Sequence, residues 1–398
     1  MSKLLKLGAG PARARFIGAT AGAAVALLGL YWVLSQGGFG GTGDSYSYLS
    51  AARSLRASGR LLGPDGLPYR LWGPLFPALL SVFSSFAAIR CLYGLALLGH
   101  LLLWSGAGSH LLPARRAWIL PLALALSTAV LVPAKFIWSE PVFFFLAAAY
   151  SGALLTWLRT NSGHWLGWAT LVGFLLPLQR TSGAFLLLGA GAGLLMNGVW
   201  RTRSRWQLAA HGIGCASGAM LWNVHTALAG PRVVRVPGGW SMLAELQAQY
   251  GFVVLRWFSP LAAGWYGAVP FAFWALGTVV LLAWLWPTGR PWRVGLATPT
   301  AALQLCWWLT VANVLGHMVA VTYRLGTGGV YDAERYMAPV AGPVLLLALA
   351  RWPAAGLVRW RQVLNGLVLA AWLGYSALRV GHNVAELRHR PPIIGPQP

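Results

Sequence analysis

The chain has 398 residues, of which 57% are hydrophobic and only 9% are charged, and its mean hydropathy is +0.61. These values exclude a soluble globular domain, because apolar runs near the ~20 residues that cross ~30 Å of hydrocarbon recur along the whole sequence. The formal net charge is +23, but the basic residues are scattered with no contiguous basic stripe. Membrane lipids are therefore the predicted partner of this charge, and nucleic acid is not.

The apolar segments predict an all-α membrane protein with one integral domain over residues 1–398. It is a polytopic bundle of about 11 transmembrane helices, in a range of roughly 10 to 13, with external juxtamembrane helices. Segment 71–86 is predicted as such a juxtamembrane helix, with a full span as the alternative. The predicted spans are 16–35, 89–108, 117–134, 141–158, 165–178, 183–199, 208–228, 264–286, 296–321, 337–350 and 364–378.

The short connections between spans set the predicted orientation. Those on the side of the N-terminus carry Arg and Lys and contain no acidic residue, which predicts that this side is the cytoplasmic face of the inner membrane. The opposite, external side receives two long loops, at about 36–88 and 229–263. It also receives all seven acidic residues: Asp44, Asp65, Glu140, Glu245, Asp332, Glu334 and Glu386. Carboxylates so scarce, gathered at one membrane face, predict a working site.

The first external loop contains the most specific motif. Asp44, Tyr48, Ala52, Leu55 and Gly59 are spaced so that they share one stripe of a short amphipathic helix. Asp44 then stands at the helix N-terminus, where the helix dipole favours the ionised carboxylate, able to accept a proton or coordinate a cation. The alternative is that Asp44 only caps the helix.

Three shorter motifs follow in chain order: Pro-x2-Pro at 74–77, Ser-Glu-Pro at 139–141 and Arg-Tyr-x-x-Pro at 335–339. With the Asp44 motif, this series resembles the GT-C superfamily of integral-membrane glycosyltransferases that use polyprenyl-phosphate sugars. Its members include bacterial protein-mannosyltransferase-like and aminoarabinose-transferase-like enzymes. The resemblance implies a GT-C-like fold, a catalytic carboxylate in the first external loop, a second external acidic residue, and basic side chains that hold the lipid phosphate.

By motif, Asp44 matches the catalytic base, and Glu140 matches the second acidic residue. Many relatives have an adjacent pair of acids in the first motif, whereas here Ser45 takes the second place. No cofactor is required by the sequence. A divalent cation held by Asp44 and Glu140 remains an alternative that the sequence leaves open.

Transfer from a polyprenyl-phosphate sugar also needs positive charge for the departing phosphate. Lys135, Arg180 and Arg335 are the predicted phosphate ligands, since each lies at an external helix end where a lipid headgroup would arrive. Tyr48, one turn after Asp44, is grouped with them as a substrate contact. The alternatives are that these basic side chains only snorkel to headgroups, or that Arg335 only pairs with a neighbouring acidic residue.

The predicted function is inverting transfer of a sugar from a polyprenyl-phosphate donor to a hydroxyl or other nucleophile of a glycan, lipid or protein acceptor. The active site would face the external, periplasmic side. The alternative is a transporter or flippase of polyprenyl-linked lipids or glycans, which needs polar groups along a path through the bilayer midplane. Acidic residues are absent from the predicted spans, which favours the enzyme.

Overall fold

The computed structural model describes residues 10–70, 72–230, 239–261, 264–287, 299–324, 333–352 and 359–395. Within these ranges the chain is helical, with isolated bridges and no β-strand. The α-helices, in chain order, are α1 (Pro11–Ser35), α2 (Gly43–Ser58), α3 (Leu75–Val82), α4 (Phe86–Leu111), α5 (Ala114–Ala117), α6 (Ile119–Ala125), α7 (Thr128–Leu131), α8 (Glu140–Thr160), α9 (Gly163–Gln179), α10 (Gly183–Met196), α11 (Val199–Thr202), α12 (Arg205–Leu228), α13 (Gly239–Phe258), α14 (Trp265–Ala268), α15 (Phe271–Leu285), α16 (Pro299–Arg324), α17 (Ala333–Met337), α18 (Ala341–Arg351) and α19 (Arg359–Leu387). Short 3₁₀ turns at Val132–Lys135 and Ala338–Val340 extend α7 and link α17 to α18.

Six helical segments among the described residues are long and apolar enough to cross a membrane, or seven if the bent pair Ala114–Ala125 and Thr128–Lys135 forms one span. Every predicted span coincides with one of the helices or with a run of them. The all-α polytopic membrane fold is therefore confirmed, while the number of spans stays a prediction. Helix α3 is only ~12 Å long at 1.5 Å per residue, which is too short for a full span, and its position beside the membrane stays a prediction.

The bundle has two chemically different ends. At one end, which we call the basic end, Arg116 donates to the carbonyl of Leu349 at 3.0 Å and Arg203 to the carbonyl of Leu158 at 3.1 Å. These bonds satisfy carbonyls in the last turns of α18 and α8. The other end carries α2, the start of α8 and α17, and we call it the acidic end. Which end faces the cytoplasm stays a prediction.

Helices α8 and α17–α18 lie inside the bundle, whereas α1 and α19 lie at its periphery with mostly exposed surfaces. Helix α8 packs against α4 and α9, and α18 packs against α6 and α16. Because α8 and α17 begin at the acidic end, the first residues of both helices meet there at the centre of the bundle.

Helix α2 lies at the acidic end, as the spacing of its motif predicts. Thr42 is its N-cap, and Gly59 ends it with a φ of 69°, a left-handed conformation that glycine adopts without strain. Tyr48 packs edge-on against Phe76 of α3, with ring centroids 4.9 Å apart. The segment before α2 is fixed by a bond from the Phe39 N–H to the carbonyl of Ile394 at 2.7 Å.

Candidate active site

Two carboxylates and two arginines from four separate segments meet at the acidic end. Nη2 of Arg335 lies 2.8 Å from Oδ2 of Asp44, and Nε of the same guanidinium donates to Oε1 of Glu140. Arg180, in the turn between α9 and α10, donates to the same Glu140 oxygen. We call these four residues the ionic cluster. Its formal charges cancel, with two negative and two positive groups.

The members of the ionic cluster differ in their access to solvent. The Glu140 side chain is fully buried, and those of Arg335 and Arg180 are 6% and 8% exposed, whereas that of Asp44 is 25% exposed. Buried charges persist only when they are paired and hydrogen-bonded, which the two arginines provide for Glu140. Asp44 is therefore the carboxylate that an incoming molecule reaches, and Glu140 is the one that holds the arginines.

Neither carboxylate serves merely as a helix cap. The cap of α2 is Thr42, whose N–H donates to Oγ of Ser45 at 3.1 Å in a capping box. The Asp44 carboxylate is therefore not used as the cap, and it contacts Arg335 instead. Glu140 is the first residue of α8, after the N-cap Ser139, where the helix dipole adds to the stabilisation of its negative charge.

Aromatic rings support the two arginines. The guanidinium carbon of Arg335 lies 4.1 Å from the centroid of the Trp138 ring, and that of Arg180 lies 5.6 Å from the Tyr336 ring. Both arrangements have the geometry of a cation–π interaction. The Trp138 indole is itself fixed, because its Nε1 donates to Oγ1 of Thr42 at 2.8 Å. The Arg335 side chain is thus oriented from one face by a ring and from its edge by two carboxylates.

Ser139 joins the elements around the ionic cluster. Its hydroxyl lies 3.3 Å from the Tyr48 hydroxyl and 3.3 Å from Nη1 of Arg180, and its carbonyl accepts from Gln179 at 2.9 Å. Burial raises the pKa of Tyr48 above its ordinary value, so its hydroxyl stays neutral. In this structure Tyr48 links α2 to the start of α8, and its hydroxyl is directed at Ser139.

The sequence prediction missed Ser139 and Gln179. The available signals were the place of Ser139 in the Ser-Glu-Pro motif and the adjacency of Gln179 to Arg180. Nothing in the spacing of residues 139 and 179 indicates that they meet, because they lie at the facing ends of two antiparallel helices.

Two other charged residues are held outside the ionic cluster. The Lys135 ammonium is buried and donates to the carbonyl of Gly38 at 2.9 Å and to that of Leu34 at 3.3 Å, so it ties the end of α1 to the segment before α2. Glu334 forms a two-oxygen pair with Arg379 of α19, both at 2.9 Å. Arg335 is thus not paired with the neighbouring Glu334 but with Asp44 and Glu140. Asp332 lies outside the described residues.

Three buried polar atoms beside Arg180 have no hydrogen-bond partner within the described part of the chain: Oε1 of Gln179, Oγ of Ser182 and the hydroxyl of Tyr250. Buried polar atoms normally find partners, so these three are exceptions to the usual pattern of a folded protein.

In the ranges that the structure describes, no group of three or more His, Cys, Asp or Glu side chains is placed to hold a metal ion. Asp44 and Glu140, the predicted ligands of a divalent cation, are both bonded to Arg335. A cation at this position would therefore compete with the guanidinium for the same carboxylates.

No protein-family model matches the chain, and no curated protein matches it in sequence. Among solved structures, it is similar to the crystal structure of ArnT from Cupriavidus metallidurans in the apo state, with a TM-score of 0.60 and 15% identity over 95% of this chain and 78% of ArnT. The structure of ArnT bound to undecaprenyl phosphate gives a TM-score of 0.58 and 16% identity over 94% of this chain and 76% of ArnT. The cryo-EM structure of arabinosyltransferase EmbB from Mycobacterium smegmatis gives a TM-score of 0.46 and 18% identity over 96% of this chain and 41% of EmbB.

The helices and their hydropathy define the chain as a multi-pass, all-α membrane protein. Its fold is similar to that of ArnT over most of both chains. At this level of identity the likeness concerns the fold, and what the site does is argued from its own residues.

Proposed function

We propose that the protein is a membrane glycosyltransferase, which moves a sugar from a polyprenyl-phosphate donor to an acceptor nucleophile at the external face of the membrane. The observation that carries this proposal is the position of Arg335 between Asp44 and Glu140, with Arg180 on the other side of Glu140. This arrangement combines a partly exposed carboxylate with two oriented guanidinium groups, and transfer from a sugar phosphate requires both. The fold shared with ArnT, which has been crystallised with undecaprenyl phosphate, supports the class of donor.

The donor phosphate would bind to Arg335 and displace Asp44 from that guanidinium. A guanidinium grips a phosphate through two parallel N–H groups, and Nη2 of Arg335, now bonded to Asp44, is one of the groups it would offer. Once Nη2 turns to the phosphate, Oδ2 of Asp44 is released. Donor binding thus frees the carboxylate at the moment when a base is needed.

The reaction would then proceed as a single displacement with inversion. The acceptor oxygen attacks the anomeric carbon, its proton passes to the Asp44 carboxylate, and the bond between the anomeric carbon and the phosphate oxygen breaks. The electron pair leaves on the polyprenyl phosphate, whose added negative charge Arg335 and Arg180 stabilise. A positioned base contributes ~10²- to 10⁴-fold to such a step, and preorganised charge adds to it.

Glu140 would position rather than react. Its side chain is fully buried and bonded to both arginines. It therefore fixes the orientation of both guanidinium groups and exposes no oxygen to the acceptor.

The test is release of polyprenyl phosphate in proteoliposomes supplied with a panel of polyprenyl-phosphate hexoses and pentoses and with extracts of envelope glycans and lipids as acceptors. We expect one donor to be cleaved by the wild-type protein and by Asp65→Asn, whose carboxylate only bonds the Leu67 N–H of an exposed turn. Asp44→Asn should leave the donor intact. Passage of an intact donor from one leaflet to the other, with no cleavage of any donor, would contradict the proposal and indicate a flippase.

A further inference from the structure

A groove on the outer surface of the bundle runs between α10 and α12 and has no lining residue in common with the ionic cluster. Its volume is about 550 Å³, within the ~300–1,000 Å³ of typical ligand sites. Leu187 and Leu188 line it from α10, and Leu208 and Ala216 line it from α12. Its position on the outer face of the bundle makes a membrane lipid, rather than a soluble molecule, the occupant to consider.

Two glycines keep the groove open. A Cβ atom built on Gly191 of α10 or on Gly212 of α12 would meet no atom within 4 Å. Both glycines line the groove, so the space in front of them is the space of the groove itself. The groove separates two tightly packed helix pairs, since α10 lies mainly against α16 and α12 mainly against α9.

The polar groups at the floor of the groove are satisfied within the protein. Nε2 of His211 lies 3.3 Å from the Tyr150 hydroxyl, and its Nδ1 lies 2.8 Å from Oγ1 of Thr170. An apolar chain can therefore lie over them without leaving a buried polar group unpaired.

The basic end of the groove has the chemistry of a headgroup site. Trp200 and Arg205 line this end, and the guanidinium carbons of Arg201 and Arg205 lie 4.9 and 5.7 Å from the Trp200 ring. Tryptophan beside arginine is typical of the membrane–water interface. The connection 197–206 carries three arginines and no acidic residue, so its charge is complementary to a lipid phosphate.

From this groove and its charged end we infer that the protein binds one anionic glycerophospholipid, with an acyl chain between α10 and α12 and the phosphate at Arg201 and Arg205. The part of α12 that lines the groove, from Arg205 to Ala219, is ~21 Å long at 1.5 Å per residue. This exceeds one leaflet of a ~30 Å hydrocarbon core, so an acyl chain fits lengthwise. The inference does not depend on the proposed transferase activity.

A lipid in this position would hold two parts of the bundle together. It would contact α12, which packs on α9, and α10, which packs on α16. Helices α9 and α10 are joined by the turn that carries Arg180. A ligand that binds the folded state and not the unfolded state raises stability in proportion to the logarithm of its concentration over its dissociation constant. The bound lipid should therefore raise the temperature of unfolding.

The test compares phosphatidylglycerol with phosphatidylcholine, each added in mixed micelles to purified, delipidated protein. Bound lipid is counted by native mass spectrometry, and the unfolding midpoint is measured in the same samples. We expect phosphatidylglycerol to bind in a 1:1 complex and to raise the midpoint, and phosphatidylcholine to bind at least tenfold more weakly.

Two variants test the location of the lipid. Gly191→Leu fills the groove, and Arg205→Gln removes a headgroup contact. Their matched controls are Gly366→Leu, at an open helical position of α19, and Arg159→Gln, at the end of α8 outside the groove. Replacing a helical glycine by leucine favours the helix, so both glycine variants should fold, which size-exclusion chromatography checks.

We expect both groove variants to bind phosphatidylglycerol at least fivefold more weakly and to lose its effect on the unfolding midpoint, while both controls behave as wild type. Equal binding of phosphatidylglycerol by Gly191→Leu and Gly366→Leu would overturn the inference. So would a loss of polyprenyl phosphate binding in Gly191→Leu with phosphatidylglycerol binding unchanged, because the groove would then hold the donor chain.

Discussion

Arg335 and Asp44 lie 291 positions apart in the sequence, yet Nη2 of the arginine is 2.8 Å from Oδ2 of the aspartate. The contact joins α17 to α2 across the acidic end of the bundle. Under the proposed function, a donor phosphate would compete with Asp44 for Arg335, so that binding of the phosphate to the arginine would release the carboxylate.

Removing the charge of Glu140 should destabilise the protein. In Glu140→Gln both Arg180 and Arg335 lose their shared, buried carboxylate, and breaking a buried ion pair from one side costs about 3–5 kcal/mol. We expect a marked fall of the thermal unfolding midpoint in detergent. Glu386→Gln is the control, because the Glu386 carboxylate is exposed. Its Oε2 makes a weak contact, at 3.8 Å, with Nε2 of the exposed His382. Equal midpoints for Glu140→Gln and wild type would contradict the structural role assigned to Glu140.

Replacing Arg335 by lysine keeps the charge and removes the planar fork. We expect Arg335→Lys to raise the KM for the polyprenyl-phosphate donor at least tenfold and to slow transfer, because a two-point grip becomes a single point. The matched control is Arg90→Lys, since Arg90 also stacks on a ring, with its guanidinium carbon 3.3 Å from the centroid of Trp32. Donor kinetics unchanged in Arg335→Lys would remove Arg335 from the phosphate site.

Tyr48→Phe tests whether the Tyr48 side chain only packs within the protein or also contacts the substrate. Tyr48→Phe keeps the edge-on contact with Phe76 and loses only the bond to Ser139, which at a typical value of about 0.5–1.5 kcal/mol is a small loss of stability. We expect the donor KM to stay within twofold of wild type, as in the control Tyr46→Phe at an exposed position of α2. A tenfold increase in KM for Tyr48→Phe alone would instead support the sequence prediction that Tyr48 contacts the substrate.

The sequence predicts the local parts of this site well. The spacing from Asp44 to Gly59 predicts α2 to within two residues at either end, because a short amphipathic helix is set by nearby apolar positions and by its cap. The apolar runs predict the positions of the membrane helices for the same reason. Motifs indicate Asp44, Glu140 and Arg335, and the position at a predicted helix end indicates Arg180, since ionisable residues are rare in a chain of this composition.

The pairing of these residues could not be predicted. Whether Arg335 contacts the adjacent Glu334 or the distant Asp44 depends on the rotation of α17, which the packing of α13, α16 and α7 around it decides. The same holds for Lys135, whose ammonium finds two backbone carbonyls at the end of α1. Its position at a helix end in the sequence indicated a headgroup, but the turn before α8 directs it into the protein.

The predicted orientation can be tested by labelling single cysteines in intact cells with a reagent that does not cross the membrane. After Cys91→Ser removes an exposed native thiol, Tyr46→Cys and Ser259→Cys sample the two long loops, and both positions are exposed. Ser204→Cys samples the basic end. We expect labelling of the first two and not of the third. Labelling of Ser204→Cys alone would place the ionic cluster in the cytoplasm.

The central claim is that Asp44 acts as the base, and a single-turnover experiment on Asp44→Asn tests it most directly. The substitution keeps the shape of the side chain and leaves the Thr42 cap of α2 in place. It removes the carboxylate that accepts the proton. We predict that donor binding, measured by equilibrium titration, is at least as tight as in wild type, because the phosphate no longer displaces a carboxylate from Arg335. The rate of sugar transfer should fall by at least ~10²-fold, the lower end for a general base. A transfer rate within threefold of wild type, at equal donor occupancy, would contradict the claim.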